Sequence, residues 1–381
     1  MTRVLQVRVL LLLLLTALAT RLWMPQSPYA YLPWPVHCGG ERPAWLGEWV
    51  QEAKRLGLPG FQLSLSDATG KRTHCIAGWA RLWPWPQALR QDHVMRYASL
   101  SKLMTSASIL RLFERGKLRP DNLLVDALAI TSKPADRRIE QITIANLLSH
   151  TAGFDRALSS DPMMSRQPWC PADISTLSSV RLDHEPGEVY AYSNLGYCLL
   201  GAVIERYDGM PLKQVFQNEL LTPLRIEGKV LQQGEILLNE PTALYSKHEL
   251  EGEMLQMNFS AMHATGAWAG NSREFLALLN GIVGPSATLL SEAGQRELLS
   301  VASSCDISQW RNCHGYAFYK YAKQGKKAMF WRDGSLPNAT SFAVIMEDGQ
   351  SVVFLTHARQ YDWKMLNDRL GLILYDYLVR Q

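Results

Sequence analysis

The tetrapeptide Ser99-Leu100-Ser101-Lys102 opens a segment with helical periodicity that runs to Arg115 and stops at Gly116. Side chains three positions apart share a helix face, so the Lys102 ammonium falls beside the Ser99 hydroxyl at the helix N-terminus. A serine attacks well only when a neighbouring base takes its proton, and a buried lysine near other cations can be that base. The spacing predicts a nucleophile and its base. The alternative is an ordinary helix start, because such short patterns also arise by chance.

A second polar cluster, Tyr192-Ser193-Asn194, follows Glu185-Pro186-Gly187 and lies in a turn that leads into a helix. A tyrosine held near a lysine can act as a phenolate base, and an asparagine amide can bind both the lysine and a substrate carbonyl. The alternative is a turn with a structural tyrosine and a capping asparagine.

Strand patterns lie near the two ends of the chain. Phe61 to Ser66 and Arg72 to Trp79 flank a turn at residues 67–70 and predict a β-hairpin. Three short apolar runs return late in the chain and precede an amphipathic helix at 363–379; they are Lys327 to Trp331, Thr340 to Met346 and Ser351 to Thr356. We therefore expect an α/β (α+β) fold, in which an antiparallel sheet from both ends, flanked by helices, encloses an inserted, mostly helical domain.

The composition excludes several classes of protein. The 381 residues include 39 Lys+Arg and 35 Asp+Glu, a net charge of +4, and removal of Arg3 and Arg8 with a leader would leave 4 − 2 = +2. Nucleic-acid-binding proteins are normally far more basic, so no nucleic-acid partner is expected. Hydrophobic residues at 47% and charged residues at 19% exclude a disordered or fibrous chain.

The N-terminus has the features of a secretory signal. Basic residues precede an apolar run, which includes the six consecutive leucines Leu10 to Leu15 and continues to Ala19. The run is shorter than the roughly 20 residues of a spanning helix and is followed by Arg21, so a cleaved signal peptide over residues 1–19 is favoured over a retained anchor. We expect a periplasmic or secreted protein with no stable membrane span after cleavage.

Six cysteines, at positions 38, 75, 170, 198, 305 and 313, are an even number in an exported chain and can form disulfides. Cys305 and Cys313 would close a short loop. Three of the six adjoin a histidine, but none has the spacing of a convincing zinc site. We expect no metal, with zinc as the less favoured alternative.

In this order, the two polar clusters resemble the serine β-lactamase and penicillin-binding-protein superfamily, with the class C β-lactamase and esterase-like branch as the nearest match. The resemblance covers nearly the whole mature chain and includes residues 147–154 and 266–279. It implies that Ser99, Lys102 and Tyr192 are catalytic and that Asn194 binds substrate. It also implies a structural role for His150, although a histidine there is tempting as a catalytic base.

The third motif of that superfamily is Lys-Thr-Gly or His-x-Gly, and Arg332-Asp333-Gly334-Ser335 matches it by order. Arg332, Gly334 and Ser335 are then substrate-binding residues, and the backbone amides of Ser99 and Ser335 form the oxyanion hole. Asp333 departs from the pattern, because a carboxylate there would repel a substrate carboxylate unless Arg332 pairs with it. A turn residue pointing away is the alternative.

These observations predict an exported serine hydrolase that works through an acyl-enzyme and needs no cofactor. The favoured substrate is the β-lactam amide of antibiotics. The alternatives are a D-alanyl-D-alanine peptidase, a small-ester esterase, which the altered third motif favours, and a non-catalytic penicillin-binding sensor. The catalytic domain would span residues 20–381, its sheet part from about 40–98 and 300–381 and its helical part from about 99–299. A small-molecule substrate and a monomer are expected.

Overall fold

The computed structural model of the chain describes residues 27–82, 84–159, 161–231, 239–241, 257–302, 304–360 and 362–380. The signal peptide expected at residues 1–19 lies outside this part. Within it, no helix combines the length and the apolar character needed to cross a membrane.

The main sheet is antiparallel throughout and joins strands from both ends of the chain, as the sequence predicted. Its strand order is β1-β3-β2-β12-β11-β10-β9-β8, with β4 added beside β3. The bounds are Val36–Gly39 (β1), Gly60–Ser66 (β2), Arg72–Arg81 (β3), Gln87–Ala88 (β4), Cys313–His314 (β8), Tyr319–Tyr321 (β9), Met329–Leu336 (β10), Ala339–Met346 (β11) and Ser351–Thr356 (β12). A second, three-stranded sheet pairs Met95–Arg96 (β5), Trp268–Gly270 (β7) and Lys229–Val230 (β6), in the order β5-β7-β6.

Helices fill the middle of the chain and cover the sheet. The α-helices are Leu46–Arg55 (α1), Lys102–Glu114 (α2), Leu124–Ala127 (α3), Ile144–Leu148 (α4), Asn194–Asp208 (α5), Leu212–Phe216 (α6), Ser272–Ile282 (α7), Glu292–Leu299 (α8) and Trp363–Leu378 (α9). Short 3₁₀ turns lie at Pro28–Ala30, Ala98–Ser101, Arg137–Gln141, Pro162–Met164, Ile174–Ser179, Thr222–Leu224 and Phe259–Met262, and a π-helical turn at Gln217–Leu221. The predicted combination of antiparallel sheet and helices is confirmed.

Two hydrophobic cores lie on the two faces of the sheet. One face packs against α1 and α9, where Trp45 stacks on Tyr377 with ring centroids 5.4 Å apart and Trp49 meets Phe354 edge-on at 5.3 Å. Burying a large apolar side chain contributes about 1.5–3 kcal/mol, so this aromatic layer fixes the two terminal helices firmly. The other face packs against the central helices, among them α2, α5 and α7.

Strand β10 runs further than the sequence suggested. The apolar run ended at Trp331, but the strand continues through Arg332 and Asp333 to Leu336, paired with β11 along its length. Asp333 is therefore a strand residue, and its interpretation as a turn residue was wrong. The apolar pattern missed this extension because Arg332 and Asp333 are polar residues that face buried polar partners instead of solvent.

Candidate active site

Ser99 lies where β10 approaches the start of α2. It belongs to the 3₁₀ turn Ala98–Ser101, which runs directly into that helix. Ala98 has φ of +50°, a conformation that costs energy for a residue with a Cβ and that turns the chain sharply before Ser99. Tyr97, the residue before Ala98, is held by two hydrogen bonds. Ser341 Oγ donates to the Tyr97 carbonyl at 2.8 Å, and the Tyr97 amide donates to the Trp268 carbonyl at 2.9 Å.

The Tyr192 hydroxyl lies 2.8 Å from Ser99 Oγ, at hydrogen-bonding distance. Tyr192 directly precedes the Ser193 cap of α5, and the amide of Ala191 donates to the His150 carbonyl at 2.8 Å. The start of α5 thus holds the phenol against the serine.

Lys102 is fully buried and has two neutral oxygen acceptors. Its Nζ donates to Asn194 Oδ1 at 2.7 Å and to the Thr265 carbonyl at 2.9 Å, and it lies 5.0 Å from the centre of the Tyr192 ring. Burial lowers the pKa of Lys102 to about 8; the nearby Tyr192 opposes this shift and the Arg332 charge adds to it.

The pKa of Tyr192 is also lowered, to about 8. Burial alone would raise it, but the positive charges of Lys102 and Arg332 outweigh burial. Two unit charges 5 Å apart, at an effective dielectric constant near 20, attract by about 3 kcal/mol, which corresponds to roughly two pKa units. Because the two groups are coupled, near pH 8 the pair can release one proton and supply a base.

Asn194 begins α5 and bridges Lys102 to an acidic residue that sequence reasoning missed. While its Oδ1 accepts from Lys102, its Nδ2 donates to Asp161 Oδ2 at 2.7 Å. This second bond fixes which end of the amide faces the lysine. The expected donation from the amide to a substrate carbonyl therefore competes with Asp161.

Arg332 is buried and points from β10 towards Tyr192. Its NH1 lies 3.1 Å from His314 Nε2 and donates to the Ala317 carbonyl at 3.3 Å, and its NH2 lies 3.5 Å from the Tyr192 hydroxyl. No carboxylate in the described part of the chain accepts a hydrogen bond from this guanidinium. Its positive charge instead helps to lower the pKa of the Tyr192 phenol.

A pair between Asp333 and Arg332 was one expectation from the sequence. In the structure, Asp333 binds Arg311 instead. Arg311 NH1 and NH2 donate to its two oxygens at 3.2 and 2.6 Å, and Asn367 Nδ2 donates to Oδ2 at 2.8 Å. Burial would raise the pKa of Asp333, but Arg311 lowers it, so the carboxylate stays ionised. The positive charge of Arg311 balances its negative charge. The physical reason is the strand: neighbouring side chains point to opposite faces, so Arg332 and Asp333 face different partners.

Gly334 allows β10 to touch the nucleophile turn. A Cβ at this position would lie 2.9 Å from the Ser99 nitrogen and 2.4 Å from Ser341 Oγ, closer than a side chain tolerates. The Ser99 amide therefore lies directly against the strand at Gly334. Ser335 lines a cavity together with Ser99, and its buried Oγ has no hydrogen-bond partner in the described structure.

His150 lies behind Tyr192 and does not contact Ser99. Its Nδ1 accepts from the Ser193 amide at 3.2 Å, and its ring centre lies 4.6 Å from that of Tyr192. Burial lowers the pKa of His150 well below its ordinary value, so the ring is neutral. This geometry supports the structural role.

A cavity of about 600 Å³ opens in front of Ser99. Apolar side chains such as Met164, Met257 and Leu336 line part of its wall. Among the described residues, five basic side chains and two acidic ones also line it: Arg156, Arg311, Arg332, Arg359, Lys364, Asp155 and Asp333. Basic side chains thus outnumber acidic ones in this lining, which gives it an excess of positive formal charge.

The six cysteines form three disulfides, Cys38–Cys75, Cys170–Cys198 and Cys305–Cys313. The short Cys305–Cys313 loop is confirmed. The thiols beside histidines are therefore not available as metal ligands. Across the ranges that the structure describes, no group of three or more His, Cys, Asp or Glu side chains is arranged to hold a metal.

The residues that sequence reasoning missed reach the site from distant segments. They are Asp161, Thr265, Arg311 and His314, which contact Asn194, Lys102, Asp333 and Arg332 respectively. The sequence contained a signal for His314 only, since a histidine beside Cys313 is a candidate functional residue. That pair suggested a metal site and not a partner of Arg332.

Three comparisons place these features among known proteins. A profile of the Beta-lactamase family matches residues 55–375. The chain is 29% identical over 316 residues to a putative fimbrial assembly protein FimD, serogroup D, of Dichelobacter nodosus, with 78% of each chain covered. It is 32% identical over 145 residues, 35% of each chain, to the D-alanyl-D-alanine-carboxypeptidase/endopeptidase AmpH of Escherichia coli (strain K12). The D-amino acid amidase of Ochrobactrum anthropi SV3 shares the fold, with a TM-score of 0.68, 19% identity and coverage of 88% of this chain and 98% of that one.

Proposed function

The chain belongs to the beta-lactamase family, whose fold is that of serine hydrolases, and we propose that it is an exported hydrolase that opens the β-lactam amide through an acyl-enzyme on Ser99. One observation carries this proposal: Ser99 Oγ lies 2.8 Å from a phenol whose pKa is lowered to about 8. Burial opposes that lowering, and two neighbouring cations produce it. A serine so placed has the base that its chemistry requires.

In the proposed reaction, Tyr192 and Lys102 together take the Ser99 proton while Oγ bonds to the lactam carbonyl carbon. The C–N bond then breaks, and the proton passes from Tyr192 to the leaving nitrogen. Water subsequently attacks the ester, using the same pair as base, and restores the Ser99 hydroxyl. No step needs a metal or a cofactor.

The negative oxygen of the tetrahedral intermediate would bind the backbone amides of Ser99 and Ser335. The close approach of Gly334 to the Ser99 nitrogen supports this assignment, because it brings the two segments together. Removing one such donor typically costs about 10²–10³-fold in kcat.

The charge of the cavity favours a substrate with a carboxylate. Arg311 neutralises the charge of Asp333, so Asp333 is not expected to repel a substrate carboxylate. That repulsion was the main argument for neutral esters as substrates. Penicillins carry a carboxylate beside the lactam. Lys364 at the cavity wall is a suitable partner for it.

Peptides that end in a D-amino acid are the second candidate, because they present a carboxylate in the same way. The relatedness to AmpH over 145 residues supports this alternative. A non-catalytic sensor is less well supported, since a pure binder need not keep both the contact of Ser99 with Tyr192 and that of Lys102 with Asn194.

The compartment and assembly belong to the same proposal. Three disulfides suit the oxidising environment of the periplasm or the outside of the cell. We also propose that the chain is exported through a signal peptide at residues 1–19 and that it is a monomer.

Hydrolysis of four substrates by the purified mature chain tests the proposal. Benzylpenicillin is compared with its methyl ester, which lacks the carboxylate charge, with a peptide ending in D-Ala-D-Ala, and with p-nitrophenyl acetate. We expect benzylpenicillin to have the highest kcat/KM and its methyl ester a value at least about tenfold lower, as loss of one charged contact implies. Preference for the peptide would establish the second candidate, and turnover of the acetate alone would establish an esterase.

A further inference from the structure

A disulfide-closed segment covers the part of β10 that matches the third motif. Residues 305–314, called here the 305–314 loop, are closed by Cys305–Cys313 and end in the short edge strand β8. Cys305 is half-buried, whereas Cys313 is buried. The loop leads into β9, the strand next to β10.

Two residues of the loop hold one face of β10. The Trp310 ring stacks on the Trp331 ring with centroids 4.0 Å apart and planes 8° from parallel. Arg311 binds both oxygens of Asp333 and lies over the Trp331 ring at 4.8 Å. These contacts are made on the side of the strand that faces α9, where Asn367 also reaches Asp333.

A third residue holds the opposite face. His314 Nε2 lies 3.1 Å from Arg332 NH1, the nitrogen that also donates to the Ala317 carbonyl. As an acceptor from a guanidinium, this imidazole must be neutral with its proton on Nδ1. Burial lowers the pKa of His314 well below its ordinary value, and the Arg332 charge adds to this, so the neutral ring is the stable form.

On the β9 side, strand pairing within the sheet does not hold Arg332 and Asp333. β9 pairs with β10 only at Met329, Phe330 and Trp331. Beyond that point Arg332 and Asp333 have a strand neighbour on one side only, β11. Three consecutive residues of β10 are thus each held by one residue of the 305–314 loop or its end.

We propose that the 305–314 loop is a positioning device for the active site, in which His314 holds the Arg332 guanidinium towards the Tyr192 hydroxyl and the Cys305–Cys313 disulfide fixes the loop that carries His314. This inference rests on the proposed function. His314 does not touch Ser99, so it is a positioning residue that acts through Arg332.

The consequence is a dependence of serine reactivity on the loop. Arg332 lies 3.5 Å from the Tyr192 hydroxyl through NH2, and its charge helps to keep the phenol acidic. If the guanidinium moves away, the Tyr192 pKa rises, and the base is lost at neutral pH. The other charged or titratable groups around this phenol in the described structure come from several elements: Lys102, His150, Arg156, Tyr190 and Tyr197.

The experiment measures how fast a fluorophosphonate labels Ser99 as a function of pH. In this reaction Oγ bonds to phosphorus, fluoride leaves and the serine proton goes to the base, so the rate reports the base without requiring the natural substrate. His314→Leu removes the acceptor for Arg332, whereas His314→Gln keeps one. Cys305→Ala/Cys313→Ala opens the loop, and Cys38→Ala/Cys75→Ala removes a disulfide between β1 and β3, at the opposite edge of the sheet.

We expect His314→Leu to move the pH midpoint of labelling upward by about one unit, a roughly tenfold slower reaction at neutral pH. His314→Gln should stay near wild type, Cys305→Ala/Cys313→Ala should shift in the same direction as His314→Leu, and Cys38→Ala/Cys75→Ala should not shift. If His314→Leu fails to fold, the two cysteine pairs supply the same comparison.

An unchanged midpoint in His314→Leu, or equal shifts in the two cysteine pairs, would overturn the inference while leaving the proposed function standing. Wild-type protein that is not labelled at Ser99 at any pH would overturn the proposed function and the inference with it.

Discussion

Neighbouring residues of β10 place their charges in opposite surroundings. Asp333, on the face towards α9, has Arg311 and Asn367 as partners, while Arg332, on the face towards Ser99, has a neutral histidine, a backbone carbonyl and a phenol. The paired charge fixes two segments to each other. The unpaired charge, with that of Lys102, acts on the acidity of Tyr192. One face of the strand thus binds neighbouring segments, and the other carries the charge that acts in the proposed reaction.

The difference teaches which side chains carry function in this fold. A buried cation without a carboxylate partner is costly to stability, and proteins retain such groups where they shift a pKa that chemistry needs. Substitutions on the Ser99 side should therefore change rates and pH profiles more than stability. Substitutions around Asp333 should do the opposite.

The largest effect is expected for Ser99→Ala. Removing a covalent nucleophile should lower kcat by several orders of magnitude, about 10⁶-fold in comparable serine hydrolases, and leave the melting temperature unchanged. Turnover assays and thermal melts of the two proteins check this. Ser108→Ala is the matched control, because Ser108 is a buried serine of α2 whose Oγ has no hydrogen-bond partner in the described structure. Near wild-type turnover by Ser99→Ala would sink the assignment.

Tyr192→Phe should lower kcat by about 10²–10⁴-fold, the usual range for a proton-transfer group. In the wild type, kcat/KM should fall as the pH drops below about 8, because Lys102 and Tyr192 then become increasingly protonated and the fraction with a free base decreases. This limb should change shape or position in the variant, as pH–rate profiles will show. Tyr197→Phe is the control, since that hydroxyl contacts the Leu148 and Tyr316 carbonyls instead of Ser99. An unaltered limb in Tyr192→Phe would assign the base elsewhere.

Arg332→Met is the sharpest test of the comparison on the Ser99 side. It removes a buried cation that lacks a carboxylate partner among the described residues, so the melting temperature should stay the same or rise. The Tyr192 pKa should rise, and kcat/KM at neutral pH should fall by about tenfold for each unit of that shift. Melting curves and kinetics on one protein preparation decide it. A large loss of stability would show that Arg332 supports the structure in the way that Asp333 does.

The smallest effect on turnover is expected for Asp333→Thr, which restores the residue usual in the third motif. Breaking the bonds to Arg311 and Asn367 should cost about 2–3 kcal/mol of unfolding free energy, although Arg311 keeps Asp368 as a partner. No gain in kcat/KM for carboxylate-bearing β-lactams is expected, since the carboxylate is already neutralised. Urea unfolding and kinetics with benzylpenicillin and a neutral ester check both parts. A selective gain for benzylpenicillin would restore the repulsion argument.

Much of the fold could be predicted because its signals are local. The hairpin of β2 and β3 follows from alternation around the turn at residues 67–70, and α2 follows from the period of its apolar residues. Ser99 and Lys102 lie within one helical turn, so their proximity could also be predicted. The family resemblance supplied Tyr192.

The remaining contacts depend on how distant segments meet. Asp161 reaches Asn194 across 33 positions and Thr265 reaches Lys102 across 163, through a loop and a backbone carbonyl that carry no pattern. The partner of Asp333 was misjudged for the same reason. Arg311 is brought to it by the β8–β9–β10 order at the sheet edge, and two-residue β8 is too short to be recognised in the sequence.

The most direct test of the acyl-enzyme is intact-protein mass spectrometry after mixing with benzylpenicillin, followed over time and mapped by proteolysis. The account predicts an adduct of the mass of the whole penicillin on the peptide that contains Ser99, absent in Ser99→Ala, that appears within the first turnover and disappears as product accumulates. An adduct that persists would identify a penicillin-binding protein with slow deacylation. Hydrolysis of the penicillin with no adduct on this peptide, or with the adduct on another residue, would contradict the account.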